Sequence, residues 1–477
     1  RLNNGNVGSL DFREKAPGKA TRNMYLDDNN EVYSKKSKLG HLASGIPGSV
    51  DGMVKLHEKF GLLDWKNILE PSILLSKNGF QLSKNQALSL NNVKESFLKL
   101  NDSSISLINN DVWKKNDLLV QNNLYKTLKR IQNNKRDGFY SGKTADLLLN
   151  EMNQGNGIFT LEDLKNYSSI WREPIIGNYK NHKIISMGPP SSGGIALVQM
   201  LNGAEKLNIN KYEHNSKNYI HMISEIESRV YADRATYLGD PDFFEVPSNT
   251  LMSNKYLENK FRTILLNKKT ASSDIKEGQI EMNETEETTH FSIVDKFGNA
   301  VSITTTINGS YGSKVVVDGA GFLLNNEMDD FSIKPGFPNM FGLTGGEVNA
   351  IEGNKRMLSS MTPTIIEKEG KLFMVLGTPG GSTIITSVFQ TILNVIDYKM
   401  TMQEAVDSKK FHHQWLPDLI VIEKKTINND IKDALIQMGH KFNERTSIGR
   451  MDCILVNEAG KLEGAADKRG DNIAIGY

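Results

Sequence analysis

The hydrophobic period of this chain changes once, and that change confines it to a mixed helical and stranded architecture. From about Val50 to Lys260 apolar residues mostly recur with the 3.6-residue period of a helix face, and Ser49–Phe60, Leu124–Ile131, Thr144–Met152, Ile195–Leu207 and Tyr219–Tyr237 read as helices with polar outer faces. From Thr288 onward short β-rich runs take over at Thr289–Val294, Ala300–Ile307, Thr364–Glu367 and Leu372–Leu376, followed by one long apolar helix from Thr383 to about Tyr398. The first half is expected to supply mostly helical cover plus strands, and the second half paired strands. Between them Lys268–Glu287 is polar and turn-prone, with Glu281, Glu284, Glu286 and Glu287 crowded at its end. By composition alone it reads as a solvated surface linker.

The 477 residues are enough for about three domain equivalents or one large layered fold. Against 57 Lys and Arg stand 56 Asp and Glu, a formal +1, so the chain lacks the bulk field that binds phosphate backbones or anionic membranes. Nucleic acid is not expected as a partner. No stretch approaches the roughly 20 apolar residues of a membrane span. The single Cys453 can form no internal disulfide and no C-x-x-C pair. The chain begins at Arg1, and Arg1–Asp11 reads as the tail of a strand-turn-strand, as expected of a fragment or a processed product.

Two local features carry chemistry. In Thr288–Ile307, the run Asp295-Lys296-Phe297-Gly298-Asn299 fits a three-residue hairpin loop with Gly298 in the left-handed position. Facing Asp295 with Asn299 then sets Thr288 opposite Thr306 on one face of the hairpin. Two hydroxyls would meet there, although Thr-Thr pairs are also ordinary strand contacts. The second feature is Leu372–Leu376, then Gly377-Thr378-Pro379-Gly380-Gly381-Ser382, then a helix start. A glycine-rich turn at a helix N-terminus exposes backbone N–H groups that can hold a carboxylate, a phosphate or a developing oxyanion, or it can simply relieve crowding. Pro189–Gly194 before the Ile195–Leu207 helix is a weaker feature of the same kind.

Other patterns fail. Gly138–Thr144 is one residue short of a phosphate loop, the nine His lack metal-ligand spacing, and no G-x-S-x-G occurs. No metal and no cofactor are expected. Asp329-Asp330 and Ser359-Ser360 read as polar pairs in turn-rich segments.

With those features in place, Thr288-Thr-His-Phe-Ser-Ile-Val-Asp295, Asn325-Asn-Glu-Met-Asp-Asp-Phe331, Leu358-Ser-Ser-Met361, Pro379-Gly-Gly-Ser382 and Phe411-His-His-Gln-Trp415 together resemble the γ-glutamyltranspeptidase family. Leu10-Asp-Phe-Arg-Glu14, Pro189–Gly194 and Gly476-Tyr477 extend the match over essentially the whole chain in family order. The resemblance implies an N-terminal-nucleophile hydrolase, an α+β fold of four layers, α-β-β-α, with two stacked antiparallel sheets flanked by helices. It implies a precursor that cuts itself between Glu287 and Thr288 into residues 1–287, the large-chain part, and residues 288–477, the small chain.

On this resemblance the linker becomes the tail left after cleavage, and Thr288 supplies both a nucleophilic hydroxyl and a new α-amine to serve as its base. The resemblance assigns Thr306 to orienting that hydroxyl, and Gly380 and Gly381 to the oxyanion. Asn308, Glu327 and Asp330 would hold the donor's ammonium, and Arg13, Ser359 and Ser360 its carboxylate. Phe341 would cover the site from a lid at Pro335–Gly346, at a position where a tyrosine is common. The implied partners are γ-glutamyl donors such as glutathione, with water or an amino acid as acceptor, and the implied location is periplasmic or secreted. Family members carry a further N-terminal helix, strand and glycine-rich segment ahead of the position of Arg13. Rival readings are a same-fold acylase, a poly-γ-glutamate processing enzyme, or an uncleaved precursor acting as a binding protein.

Overall fold

The computed structural model describes residues 1–275 and 288–476. Its centre is an antiparallel sheet of six strands, in the order Leu462–Ala466, Asp452–Val456, Lys371–Gly377, Thr364–Lys368, His182–Ser186 and Ile175–Tyr179. Two of these strands come from the half read as mostly helical cover plus strands, where the periodicity singles out no particular strand. Ile175–Tyr179 alternates buried and exposed residues, but over only five positions, too short a run to stand out among helical periods.

The helices fall where the periodicity puts them. Ser49–Phe60 agrees at both ends, whereas the others begin one or two residues away from expectation, as in Gly193–Lys206, Lys217–Tyr237 and Ile384–Ile396. Trp65–Asn78 and Lys84–Leu100 add two more helices in the first half, the second closed by a capping box between Ser83 and Gln86.

Strand alternation gives the sheet two different faces. Ile365 and Val375 point one way and pack with Val294 and Ala300 of the 288–306 hairpin. Ile366, Met374 and Leu376 point the other way, onto Leu197, Leu201, Val388 and Ile392 of the Gly193–Lys206 and Ile384–Ile396 helices. Every residue of Ile384–Ile396 is buried, the polar Thr386, Ser387, Gln390, Thr391 and Asn394 included. Hairpin, sheet and helices therefore stack as three layers, the hairpin being a sheet of two strands among the described residues. Among the described residues no helix is long and apolar enough to cross a membrane.

Arg1 extends the edge of the hairpin: Ala300 N–H donates to Arg1 O at 2.8 Å, and the Arg1 ammonium returns a bond to Ala300 O at 3.0 Å. A turn follows at Leu2–Asn6 and a strand at Ser9–Asp11, which pairs with Ile170–Arg172. That pairing carries Arg13 in beneath the end of the hairpin.

Candidate active site

The hairpin register is the expected one. Thr289 pairs with Thr305 and Val294 with Ala300. Thr288 and Thr306 lie one step further out, with Thr288 Oγ1 donating to Thr306 Oγ1 at 3.4 Å. Thr306 Oγ1 also accepts the Asn308 N–H at 2.8 Å, which ties it to the loop beyond. The loop itself is closed by the Asp295 carboxylate, which accepts from Phe297 N–H, Asn299 N–H and the Asn299 side chain at 2.7–2.9 Å, with Gly298 at φ +83°.

One pair inward on the same face, His290 Nδ1 meets Thr304 Oγ1 at 2.8 Å and Nε2 meets Ser292 Oγ at 3.1 Å. Burial pushes this imidazole down to about 3, so it is neutral. It lies against Gly377, where any Cβ would overlap the ring. Ser292 and Ser302 hydroxyls donate to Asp452 O and Leu376 O, which fixes the hairpin on the sheet.

At the end of the Lys371–Gly377 strand, Gly380 has φ +142° and Gly381 φ +52°, values that favour glycine. Gly380 O accepts from both the N–H and the hydroxyl of Thr383 at 2.9 Å, which tightens the turn into the helix. The Tyr231 hydroxyl donates to Ser382 O from the helix behind. A Cβ on Gly381 would come within 2.5 Å of the Phe341 ring, so this aromatic sits directly on the turn. Phe341 is itself held by its N–H on Asn339 Oδ1 at 2.9 Å, and its carbonyl accepts from Gln414 Nε2 at 3.0 Å.

Arg13 lies at the centre of a buried charge cluster. Its Nη1 is 2.5 Å from Glu327 Oε2 and its Nη2 is 2.5 Å from Asp330 Oδ2, while Nε–H and Nη2–H donate to Met357 O and Leu358 O at 3.3 Å. Burial alone would lower its pKa, but Glu327, Asp330 and Glu14 together hold it above the ordinary guanidinium value. The carboxyls respond in the opposite sense. Burial pushes Glu327 and Asp330 above the ordinary range and Glu14 to about 7, against the pull of Arg13. Asn339 Nδ2 completes Asp330 through Oδ1 at 2.8 Å, whereas Glu327 Oε1 has no partner.

The serine pair forms the opposite wall. Ser359 Oγ accepts the Met361 N–H at 3.1 Å, and Ser360 Oγ accepts from Arg234 Nη2 at 3.0 Å. Pro189–Gly194 takes no place in the pocket. Its Ser192 N–H and hydroxyl both donate to Ser359 O, at 2.8 and 2.7 Å, so the segment clamps the serines in place.

Thr288, Thr306, Asn308, Arg13, Asp330, Ser359, Ser360, Phe341 and Gly381 thus line one narrow pocket, with Leu343, Met361 and Ile384 as its apolar surface. Gly380 adjoins it in the turn, and Glu327 stands behind Arg13. Glu287 lies outside the described residues. A larger cavity shares Arg13, Thr306 and Ser359 but reaches none of Thr288, Asp330 or Gly381, so the candidate residues converge in the smaller one. Sequence reasoning missed Arg234, Asn339, Gln414 and His290; only His290, two residues from Thr288 on the same strand face, carried a legible signal. Among the described residues no cluster of His, Cys, Asp and Glu has the makings of a metal site.

Comparison with known proteins agrees along the whole chain. The gamma-glutamyltranspeptidase family matches residues 1–477. The glutathione hydrolase proenzyme of Escherichia coli K12 is 43% identical over 480 residues, covering 100% of this chain and 83% of that protein. The crystal structure of Helicobacter pylori gamma-glutamyltranspeptidase matches with TM-score 0.56 at 41% identity, over 58% of this chain and 79% of that one. Cephalosporin acylase from Bacillus halodurans matches with TM-score 0.81 at 22% identity, over 98% of this chain and 84% of that one, a likeness of fold. The chain belongs to the γ-glutamyltranspeptidase family.

Proposed function

We propose that this chain is a self-processing γ-glutamyltransferase and glutathione hydrolase. In the reading we favour, the bond between Glu287 and Thr288 is cut, giving a large-chain part of residues 1–287 and a small chain of residues 288–477, with Thr288 at the new N-terminus. The Thr288 Oγ1 then attacks the γ-carbonyl carbon of the donor. Its proton passes to the freed α-amine, whose ordinary pKa of about 7.7–8.0 suits a base near neutral pH, and from there to the departing amine. The C–N bond breaks and a γ-glutamyl ester remains on the threonine. Water, or the amine of an amino acid or dipeptide, takes the acyl group and returns the proton. No cofactor enters either step.

Thr306 orients the hydroxyl, and the Gly380 and Gly381 N–H groups receive the oxyanion of each tetrahedral intermediate; losing one such donor commonly costs about 10²–10³ in rate. Asn308, Glu327 and Asp330 take the ammonium, with the unpartnered buried Glu327 Oε1 supporting that assignment. Arg13, Ser359 and Ser360 take the α-carboxylate. These charged groups suit a free amino-acid end rather than the bulky apolar acyl group of an acylase substrate. Phe341 covers the oxyanion turn. The family's α-β-β-α layering is part of the same proposal, supported by the hairpin, sheet and helix layers, and so is a periplasmic or secreted location.

The observation that carries the reading is the meeting of Thr288, Thr306 and Gly381 with Arg13 and Asp330 in one pocket. The test is a γ-glutamyl anilide donor stopped in mid-turnover and digested. A γ-glutamyl mass on the Thr288 peptide is expected, with neither label nor anilide release in Thr288→Ala; a label on another side chain contradicts the proposal.

A further inference from the structure

Two buried arginines border the pocket, and their surroundings differ. Arg13 is already matched by Glu327 and Asp330 at 2.5 Å each. Arg234, on the Lys217–Tyr237 helix, is 5% exposed and donates through Nε to Ser192 Oγ and through Nη2 to Ser360 Oγ, both at 3.0 Å. No carboxylate among the described residues forms an ion pair with it. Its neighbour Asp233 is turned elsewhere, accepting from Lys260 at 2.6 Å, Tyr256 at 2.7 Å and Gln199 at 2.9 Å. Asp330 feels the Arg234 charge but is bonded to Arg13 and Asn339.

A guanidinium that is buried without a counter-ion is costly to hold, and folds keep one where an anion arrives to match it. The Ser360 hydroxyl shows where. Its oxygen accepts from Arg234, so its own proton is free to point into the pocket that Ser360 lines.

We propose that Arg234 is a positioning residue for the α-carboxylate of the donor, holding the Ser360 hydroxyl as a hydrogen-bond donor and adding, behind the serine, a second positive charge to that of Arg13, which already shares its charge with Glu327 and Asp330. The pocket then carries an acidic end at Glu327 and Asp330 and a basic end at Arg234, the polarity of a zwitterionic amino-acid head. This inference rests on the γ-glutamyl reading of the site and adds to it a specificity determinant one residue behind the pocket wall.

The test compares two donors that differ only in the α-carboxylate, a γ-glutamyl anilide and a 4-aminobutanoyl anilide, in Arg234→Gln and Arg234→Lys. Arg234→Gln is expected to raise KM for the γ-glutamyl donor about tenfold or more, with kcat within about threefold, and to leave the 4-aminobutanoyl donor unchanged within about twofold. Arg234→Lys should recover most of that loss. Ser360→Ala added to Arg234→Gln should cost little more, because both changes break one chain of contacts. Equal KM increases for both donors, or no increase, would overturn the proposal. Calorimetric binding of L-glutamate and 4-aminobutanoate to the same proteins reads the contrast without turnover. An Arg234-dependent preference for glutamate in a protein that releases no anilide would therefore keep this inference while removing the catalytic one.

Discussion

The two ends of the pocket are built in different ways. The threonine end is local: Thr288 and Thr306 are 18 residues apart on one hairpin, which the Ser292 and Ser302 hydroxyls fix to the sheet. The arginine end is long-range and ionic: Arg13 reaches Asp330 across 317 residues, inside a cluster of buried carboxyls. The first can be damaged without much loss of fold, because each neutral bond contributes about 1 kcal/mol net. The second costs more to break, since removing one member of a buried pair commonly costs about 3–5 kcal/mol. Chemistry and recognition should therefore separate under mutation.

The largest separation is expected from Asp330→Asn. It strips a charge from the Arg13 cluster and leaves the hairpin untouched, so kcat/KM for a γ-glutamyl donor should fall about 10²–10³-fold, the range of a truncated buried charge pair. Self-cleavage should still yield two bands on a denaturing gel. An uncut chain would show that the two ends are not independent.

Gly381→Ala joins the ends and should act on both. The new methyl meets the Phe341 ring at 2.5 Å and forces φ +52° on a residue that disfavours it. We expect kcat to fall about tenfold or more, the scale of a misplaced oxyanion donor. Adding Phe341→Leu, which makes room, should restore part of it; no recovery would place the cause in the backbone alone.

The difference between the ends also explains what was legible in the amino-acid pattern. Strand alternation and the Asp295–Asn299 loop set the 288–306 register without help, since a slip of one residue would turn Val294 and Ala300 out of the core. The glycine turn after Gly377 stood out for the same local reason. The Arg13 cluster and the serine pair did not: nothing near Arg13 in sequence points to Asp330, and the roles expected of those positions came from family likeness. Arg234 was invisible because residues 219–235 are buried on every side, so no polar face marks the one that matters. The Ile175–Tyr179 and His182–Ser186 strands were hidden by their length, and only pairing with Thr364–Lys368 reveals them.

The smallest expected effect concerns pH. Asp329 accepts from Ser37 Oγ at 2.6 Å and from the Met340 N–H of the lid at 2.7 Å, and burial pushes its pKa up to about 6. Since the folded value lies above the unfolded one of 3.8, the native state holds the extra proton, and the contribution of this group to stability falls as pH rises from about 4 to about 6. Asp329→Asn in an uncut Thr288→Ala background should flatten that slope. Urea unfolding at pH 4 and pH 7 should differ by about 1–3 kcal/mol less than in the parent, the size of a shift of about two units or less. An unchanged slope would assign the proton to another carboxyl of the cluster.

The proposed chemistry requires that the threonine at the open end of the hairpin, Thr288, become a chain terminus. Intact-mass analysis of the purified full chain, with the first residue of each piece read by terminal sequencing, tests that most directly. The account predicts two pieces separated by a cut after Glu287, the smaller one opening on Thr288. A smaller piece that opens on any other residue, or a Thr288→Ala chain that still splits at that bond, would contradict it.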